Sequence, residues 1–168
     1  IEPSPANFKF LKLNTKKSTV KLQLALSNET KKGKFYIDNF GGFTNSLNKK
    51  LAEDRTKFFR ELQGYREESV SNINVNIETV DSVCKMRNLK PNFIKIDVEG
   101  AEYDVLKGAK NTLSNVNSLM IEVTKGKNKK EIFDLLKSYN LIPINENCEF
   151  ICYSDTKNTT TNFFFMRR

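Results

Sequence analysis

Apolar residues recur along this chain with two alternating periods, that of a strand and that of a helix. The strand pattern predicts an extended segment ending near residue 2 and strands at residues 19–26, 33–37, 72–77, 92–98, 118–123, 149–153 and 162–166. The helix pattern predicts helices at residues 7–14, 47–62, 79–84, 102–113 and 130–139, the third capped by Thr79 or Asp81. This alternation is typical of an α/β fold with a mostly parallel sheet.

Three parts of this pattern carry further expectations. Residues 92–98 are almost continuously apolar, so we expect a central, buried parallel strand there. The last two predicted strands are joined by a polar loop at residues 154–161, which favours a C-terminal antiparallel hairpin. Residues 38–71 interrupt the alternation, and we interpret them as an insertion that shapes a ligand pocket.

The length and composition of the chain suit one globular domain. It has 168 residues, of which 38% are hydrophobic and 29% are charged. No run of about 18 apolar residues occurs, so no membrane span is predicted. No signal peptide is visible and the three cysteines are an odd number, so we expect reduced thiols and a cytoplasmic protein.

The formal charge of +8 comes from 28 basic and 20 acidic residues. The lysines are scattered, and aromatic residues do not interleave with them as a nucleic-acid stacking platform requires. A solvated basic surface is therefore favoured over attraction to nucleic acid or acidic glycans.

The chain contains no histidine. This absence excludes Ser-His-Asp and Cys-His nucleophile systems as well as histidine zinc sites. Cys148 and Cys152 have the spacing C-x3-C without further ligands, which does not favour zinc. Any proton transfer must therefore use Asp, Glu, Lys, Tyr, Cys or a metal-bound group.

Carboxylates collect where the predicted strands end. Glu2 follows the first extended segment, Asp97 and Glu99 follow the 92–98 strand, and Glu122 lies at the end of the next one. Ligands of open α/β sheets lie beyond the carboxyl ends of the strands, so we expect the functional site there. Glu102 is explained equally well by the preference for acids at a helix start.

Residues 93–102, FIKIDVEGAE, with VLKGA at residues 105–109, resemble the signature of the FkbM-type methyltransferases. Residues 1–8, IEPSPANF, resemble that family's second-strand motif, and the segments 25–27, 79–81 and 121–123 follow in the family's order. The resemblance covers essentially the whole chain. It implies a Rossmann-like class I methyltransferase fold that binds S-adenosylmethionine and methylates an oxygen, commonly a hydroxyl of a sugar, glycan or small natural product.

The resemblance also implies where the cofactor binds. Glu2 would hold the cofactor ribose, and Leu26 and Ser27 would lie near the adenine. Asp97 would lie beside both the sulfonium and the methyl acceptor.

The absence of histidine gives the catalytic role to other residues. Asp97 is the first candidate for the general base and Glu99 the second, while Lys95 reaches the cleft or, as we favour, pairs with an acid. A divalent cation bridging Asp97 and Glu99 is an alternative that we do not favour, so no metal ligands are predicted. The predicted acceptor contacts are Ser46, Glu102 and Glu122.

One departure from the family pattern shapes the interpretation of the whole chain. The glycine-rich first strand and loop do not precede Ile1, and no G-x-G occurs anywhere. We therefore interpret residues 1–168 as a single, N-terminally truncated methyltransferase domain. Its missing first strand would leave two strand edges unpaired, those of the strands that end at Glu2 and Asp97.

Two alternatives keep other functions open. The first is an N-methyltransferase, although the residues at 97–100, DVEG, replace the Asp/Asn-Pro-Pro-aromatic motif common in such enzymes. The second is a catalytically incompetent fragment that acts as a binding module through its basic surface.

Overall fold

Helices and strands alternate along most of the chain, as the hydrophobic pattern predicts. A computed structural model describes residues 1–38, 45–63, 70–123, 128–145, 147–149 and 161–168. Within these ranges the chain forms six helices and seven strands. They fall into two compact units, Ile1–Glu78 and Thr79–Arg168. That the chain is one truncated domain stays a prediction.

The first unit contains two helices and a three-stranded sheet. Helix α1 begins after Ser4, whose side chain accepts a hydrogen bond from the Asn7 amide, and it buries Phe8. In the sheet, strand β3 is central and pairs parallel with β1 and antiparallel with β2. The elements are α1 (Pro5–Asn14), β1 (Ala25–Leu26), β2 (Lys31–Ile37), α2 (Lys49–Gln63) and β3 (Ser71–Glu78).

The second unit contains four helices and a four-stranded sheet of order β4-β5-β7-β6. Strands β4 and β5 are parallel, whereas β7 runs antiparallel to both β5 and β6. The elements are α3 (Val80–Arg87), β4 (Phe93–Ile96), α4 (Glu102–Lys107), α5 (Lys110–Leu113), β5 (Ser118–Val123), α6 (Asn128–Ser138), β6 (Leu141–Ile144) and β7 (Thr161–Arg167).

The core of the second unit lies on one face of its sheet. Alternate residues of β5, namely Leu119, Ile121 and Val123, are buried there. The ring of Phe133 in α6 meets Phe163 and Phe165 of β7 edge to face, with centroids 5.1 and 5.0 Å apart. Such aromatic pairs stabilise a core by about 0.5–1.5 kcal/mol beyond their buried area.

Arg167 fixes the end of β7 to the surrounding segments. Its guanidinium donates to the carbonyl oxygens of Leu113, Val116 and Tyr139 at 2.6–3.0 Å. Each of the three guanidinium nitrogens donates to one of these acceptors in a fixed planar arrangement, whereas a lysine would offer all its donors from a single atom.

Two expectations about the sheet are corrected. The described strands form mixed sheets rather than a mostly parallel one, because three of the five strand pairings are antiparallel. Strand β4 lies at an edge of its sheet rather than at the centre, and Phe93 is half-exposed. Among the described strands β4 pairs with β5 alone, which agrees with the expectation that the strand ending at Asp97 has one unpaired edge.

The expected C-terminal strand is present, with partners that the sequence did not predict. Strand β7 matches the predicted strand at residues 162–166, whereas most of its predicted partner at residues 149–153 lies outside the described residues. The partners that the structure shows are β5 and β6. Strand β6 was not predicted. It contains Pro143, which an edge strand such as β6 tolerates.

Other element boundaries differ locally. The predicted helix at residues 102–113 is two helices, separated at Gly108 and Ala109. The predicted strand at residues 19–26 is reduced to Ala25–Leu26. Of the insertion at residues 38–71, α2 is present as expected, whereas residues 39–44 and 64–69 lie outside the described residues. Among the described helices none is long and apolar enough to cross a membrane.

Candidate active site

The candidate site begins at the carboxyl ends of β4 and β5. These strands are parallel and pair Ile96 with Ile121, so the residues that follow leave the sheet at the same edge. Asp97, Glu99 and Glu122 each bring a carboxylate oxygen there, and these three oxygens lie within 4.8 Å of one another. The structure thus brings together three of the residues predicted from the strand ends.

The turn between β4 and α4 has an unusual backbone. Glu99 and Gly100 both have positive φ angles, 53° and 94°. A left-handed conformation is uncommon for a residue other than glycine. The buried carboxylate of Glu102 accepts a hydrogen bond from the Gly100 amide at 2.9 Å. Glu102 therefore holds the turn in shape, the structural role that its place at a helix start also predicted.

Lys95 pairs with Asp97. Its Nζ lies 2.9 Å from Oδ2 of Asp97, and the two side chains are 52% and 39% exposed. An ion pair with this exposure contributes no more than about 1 kcal/mol to stability, because water screens it. Lys95 thus balances the charge of Asp97 at this edge of the sheet.

Carboxylate oxygens are also the ligands that hard divalent cations prefer. Asp97, Glu99 and Glu122 are close enough to share one ion. Within the described ranges no further acid or cysteine joins them, and Lys95 already compensates part of their charge.

In the first unit, Glu2 precedes helix α1. Its Oε1 accepts a hydrogen bond from the Ser4 amide at 2.7 Å. Burial raises the pKa of the Glu2 carboxyl, and the bond from Ser4 opposes that rise in part. Its own amide donates to the Leu22 carbonyl, which fixes the backbone at this position.

The other predicted residues of the first unit lie at the end of β1 and before α2. Leu26 ends β1, and the buried Ser27 that follows donates its amide to the Glu78 carbonyl at 2.9 Å. Ser46 is fully buried, and its hydroxyl accepts a hydrogen bond from the Asn48 amide at the start of α2. The hydroxyl of Ser46 is thus already bonded to backbone.

Asp81 and Lys129 are two charged residues with roles that the sequence did not reveal. The cap of α3 is Thr79 and not Asp81. The carboxylate of Asp81 instead accepts hydrogen bonds from the amides of Asn111 and Thr112 and from the Thr112 hydroxyl. Only the fold brings these positions together, because they lie about 30 residues apart.

Lys129 is the second charged residue whose role the sequence did not reveal. It is buried, its Nζ lies 4.8 Å from the centroid of the Phe163 ring, and burial lowers its pKa. Among so many scattered lysines, nothing in the sequence distinguishes this one.

The family model for the methyltransferase FkbM domain matches residues 1–151. The chain belongs to the FkbM methyltransferase family. The FkbM chain is also similar to the hexuronic acid methyltransferase AglP of Haloferax volcanii, with 44% identity over 52 residues. That match covers 31% of this chain and 22% of the length of the relative. No solved structure matches the chain.

Proposed function

We propose that this protein transfers a methyl group from S-adenosylmethionine to an oxygen atom of a sugar. The observation that supports the proposal most strongly is the group of carboxylates of Asp97, Glu99 and Glu122 at one sheet edge, in a chain of the FkbM family. Methylation of a hydroxyl needs a group that takes up its proton. In a chain without histidine, these carboxylates are suited to that task.

The residues predicted for the cofactor have suitable chemistry. S-adenosylmethionine, when bound, supplies a methyl group that its sulfonium already activates. Glu2 uses one carboxylate oxygen for the Ser4 amide and would accept a ribose hydroxyl with the other. Leu26 and Ser27 lie at the carboxyl end of β1, where they would contact the adenine. In the second unit, Asp97 offers a negative charge to a cationic group.

Asp97 is the proposed general base. Its carboxylate would accept the proton of the acceptor hydroxyl while Lys95, 2.9 Å away, holds it in one orientation. A positioned base accelerates such a reaction by about 10²–10⁴-fold. Glu99 is the second candidate, and Glu122 would contact the acceptor. Roles for Ser46 and Glu102 in acceptor binding stay predictions.

The acceptor group is a hydroxyl rather than a carboxylate in this proposal. A hexuronic acid, the substrate in the name of the Haloferax relative, offers both kinds of oxygen. A carboxylate has no proton to lose at neutral pH, so it needs no base. A hydroxyl does have a proton to lose, so it fits a site whose carboxylates can act as a base.

The test is a methyl-transfer assay with the full-length protein and S-adenosylmethionine carrying an isotope-labelled methyl group. The acceptors are a glucuronic acid glycoside, its methyl ester and the matching neutral glucoside. Mass spectrometry of fragments then shows which atom carries the label. We expect an O-methyl ether on the ester-blocked sugar as well as on the free acid.

Three outcomes would contradict the proposal. Label confined to the carboxylate of the free acid would contradict a hydroxyl acceptor. Label on the nitrogen of an amino sugar added to the panel would indicate N-methylation. Absence of label from every acceptor would contradict the activity itself.

We also propose a cytoplasmic location, which the free thiols of Cys84 and Cys148 support.

A further inference from the structure

Helix α1 and the segment after it expose apolar side chains to water. Phe8 is buried, but Phe10 is 62% exposed, Leu13 is 73% exposed and Val20 is 58% exposed. Phe10 and Leu13 are three residues apart, so they lie side by side on the helix. One side of α1 therefore packs against the protein while another side presents a phenyl ring and an isobutyl group to solvent.

The same stretch is basic without compensation. Residues 3–28 contain five lysines and neither Asp nor Glu, in a chain that has 20 acidic residues. Lys12 lies over the Phe8 ring, and Lys21 donates to the carbonyls of Lys16 and Thr19.

The remaining ammonium groups of this stretch, those of Lys9, Lys16 and Lys17, have no acidic partner among the described residues, whereas Lys95, Lys107 and Lys130 each do. The local charge is therefore free to act on a partner.

We propose that this surface docks the protein on a bilayer that contains anionic lipids. We call it the basic face and define it by Lys9, Phe10, Leu13, Lys16, Lys17 and Val20. Apolar side chains flanked by lysines enter the boundary between lipid headgroups and acyl chains, while the ammonium groups remain among the phosphates. Charge complementarity between these lysines and an anionic leaflet selects this partner.

The mode of attachment is peripheral. Helix α1 has ten residues, whereas about 20 apolar residues are needed to span a bilayer. Few apolar groups contribute, so binding depends on the lysines and on the negative charge of the membrane.

A nucleic acid is a less suitable partner for this surface. Single strands bind to rows of aromatic rings on which bases stack. Phe10 is the exposed ring of the basic face, and its other apolar members, Leu13 and Val20, are aliphatic. Burial among acyl chains is favourable for aliphatic side chains, but they offer no surface on which a base can stack.

The test is co-sedimentation of the full chain with vesicles. One set is pure phosphatidylcholine, and the other contains 30% phosphatidylglycerol. We expect binding to the anionic vesicles that is at least about tenfold stronger than to the neutral ones and that falls with added salt. Equal binding to both sets, or to neither, would overturn the proposal.

Matched variants distinguish binding through the basic face from non-specific binding of exposed leucines and lysines to vesicles. Leu13→Ser is compared with Leu62→Ser, since both leucines lie in the last turn of a helix and are 73% and 66% exposed. Replacement of Lys9, Lys16 and Lys17 by Gln is compared with the same replacement of Lys49, Lys50 and Lys57 in α2. The two variants of each pair change the hydropathy and the net charge of the chain by the same amount.

We expect Leu13→Ser to weaken vesicle binding about tenfold and the triple variant of the basic face to weaken it about 100-fold, while the α2 variants bind nearly as the wild type does. Equal losses from the two members of either pair would overturn the proposal. Binding to polyuridylate that Leu13→Ser leaves unchanged, without binding to vesicles, would assign the surface to nucleic acid instead.

Discussion

Asp81 and Asp97 lie next to strand-to-helix junctions, yet their carboxylates have different surroundings. Asp81 accepts hydrogen bonds from two backbone amides and one hydroxyl at 2.7–2.9 Å, at the start of α5. Asp97 is held by the single exposed ammonium of Lys95 and lies near two further carboxylates, those of Glu99 and Glu122. The first carboxylate is fully engaged in the fold, whereas the second retains oxygens that a ligand can approach.

The comparison gives a criterion for separating structural from functional acids. A carboxylate at a helix start is stabilised by the amides that it accepts from, so its charge is needed there for folding. Carboxylates gathered at the carboxyl ends of parallel strands lie where open α/β sheets bind their ligands, so their gathering points to chemistry. The predictions below test whether stability depends on Asp81 and activity on Asp97.

The largest expected effect is that of Asp97→Asn. The amide keeps the size of the side chain but cannot take up the proton, so we expect kcat/KM for methyl transfer to fall by about 10²–10⁴-fold. The melting temperature should change little, because the side chain is 39% exposed. Asp104→Asn is the matched control, since Asp104 is also paired with a lysine, and it should retain activity. Activity of Asp97→Asn within threefold of wild type would contradict a base at this position.

Asp81→Ala should have the reverse profile. It removes three hydrogen bonds, two of them from amides in α5, so we expect the free energy of unfolding to fall by about 1–3 kcal/mol. This loss corresponds to about 2–4 °C in melting temperature per kcal/mol for a chain of this size. Asp134→Ala removes a carboxylate that is 62% exposed and should cost less than about 0.5 kcal/mol. Equal losses for the two variants in thermal melts would mean that the Asp81 bonds contribute nothing.

Lys95→Met tests the partner of Asp97 and should have a smaller effect. The exposed ion pair is worth no more than about 1 kcal/mol, so kcat/KM should fall no more than about fivefold. Lys95→Arg should restore most of the loss if the cation orients the carboxylate. A loss as large as that of Asp97→Asn would instead give Lys95 a direct part in the chemistry.

The smallest expected effect is that of Glu2→Gln. Glu2 shares features with both the structural acid Asp81 and the proposed catalytic acid Asp97. Glu2 binds a backbone amide, as Asp81 does, but burial raises its pKa. Its charged form therefore disfavours folding, and this penalty appears as the pH rises from the ordinary carboxyl range through the raised pKa. Glu2→Gln should melt slightly higher than wild type at pH 7, and the two melting temperatures should converge in acid. A difference independent of pH would contradict this origin.

The sequence predicted the positions of the acids better than their roles. Parallel strands place Asp97 and Glu122 at one edge, so their meeting followed from the order of the elements alone. The bond from Gly100 to Glu102 depends on two consecutive left-handed residues, one of which is Glu99, and no periodicity indicates such a turn. The partners of Asp81 lie about 30 residues away in sequence, so no local pattern could reveal them.

The sequence predicted most elements of the fold, and the errors have physical causes. Strand β6 contains Pro143, which normally argues against a strand, but an edge position leaves its missing amide without consequence. Strand β4 is apolar enough for a central strand, yet strand order depends on pairing between distant segments and not on composition. Helix α4 ends at Gly108, a residue with low helix propensity. The apolar residues on both sides keep the helical period, so the pattern predicted one continuous helix.

The position of β7 determines when the second unit can fold. This strand comes last along the chain but lies inside the sheet, between β5 and β6, and among the described strands it is the sole partner of β6. During synthesis from the N-terminus, β6 must wait until residues 161–167 have left the ribosome. Pairing of such distant segments closes a long loop and is slow. Until residues 161–167 emerge from the ribosome, β5 and β6 lack their shared partner and stay open to proteases. Once β7 has paired, the guanidinium of Arg167 links the completed sheet to Leu113, Val116 and Tyr139.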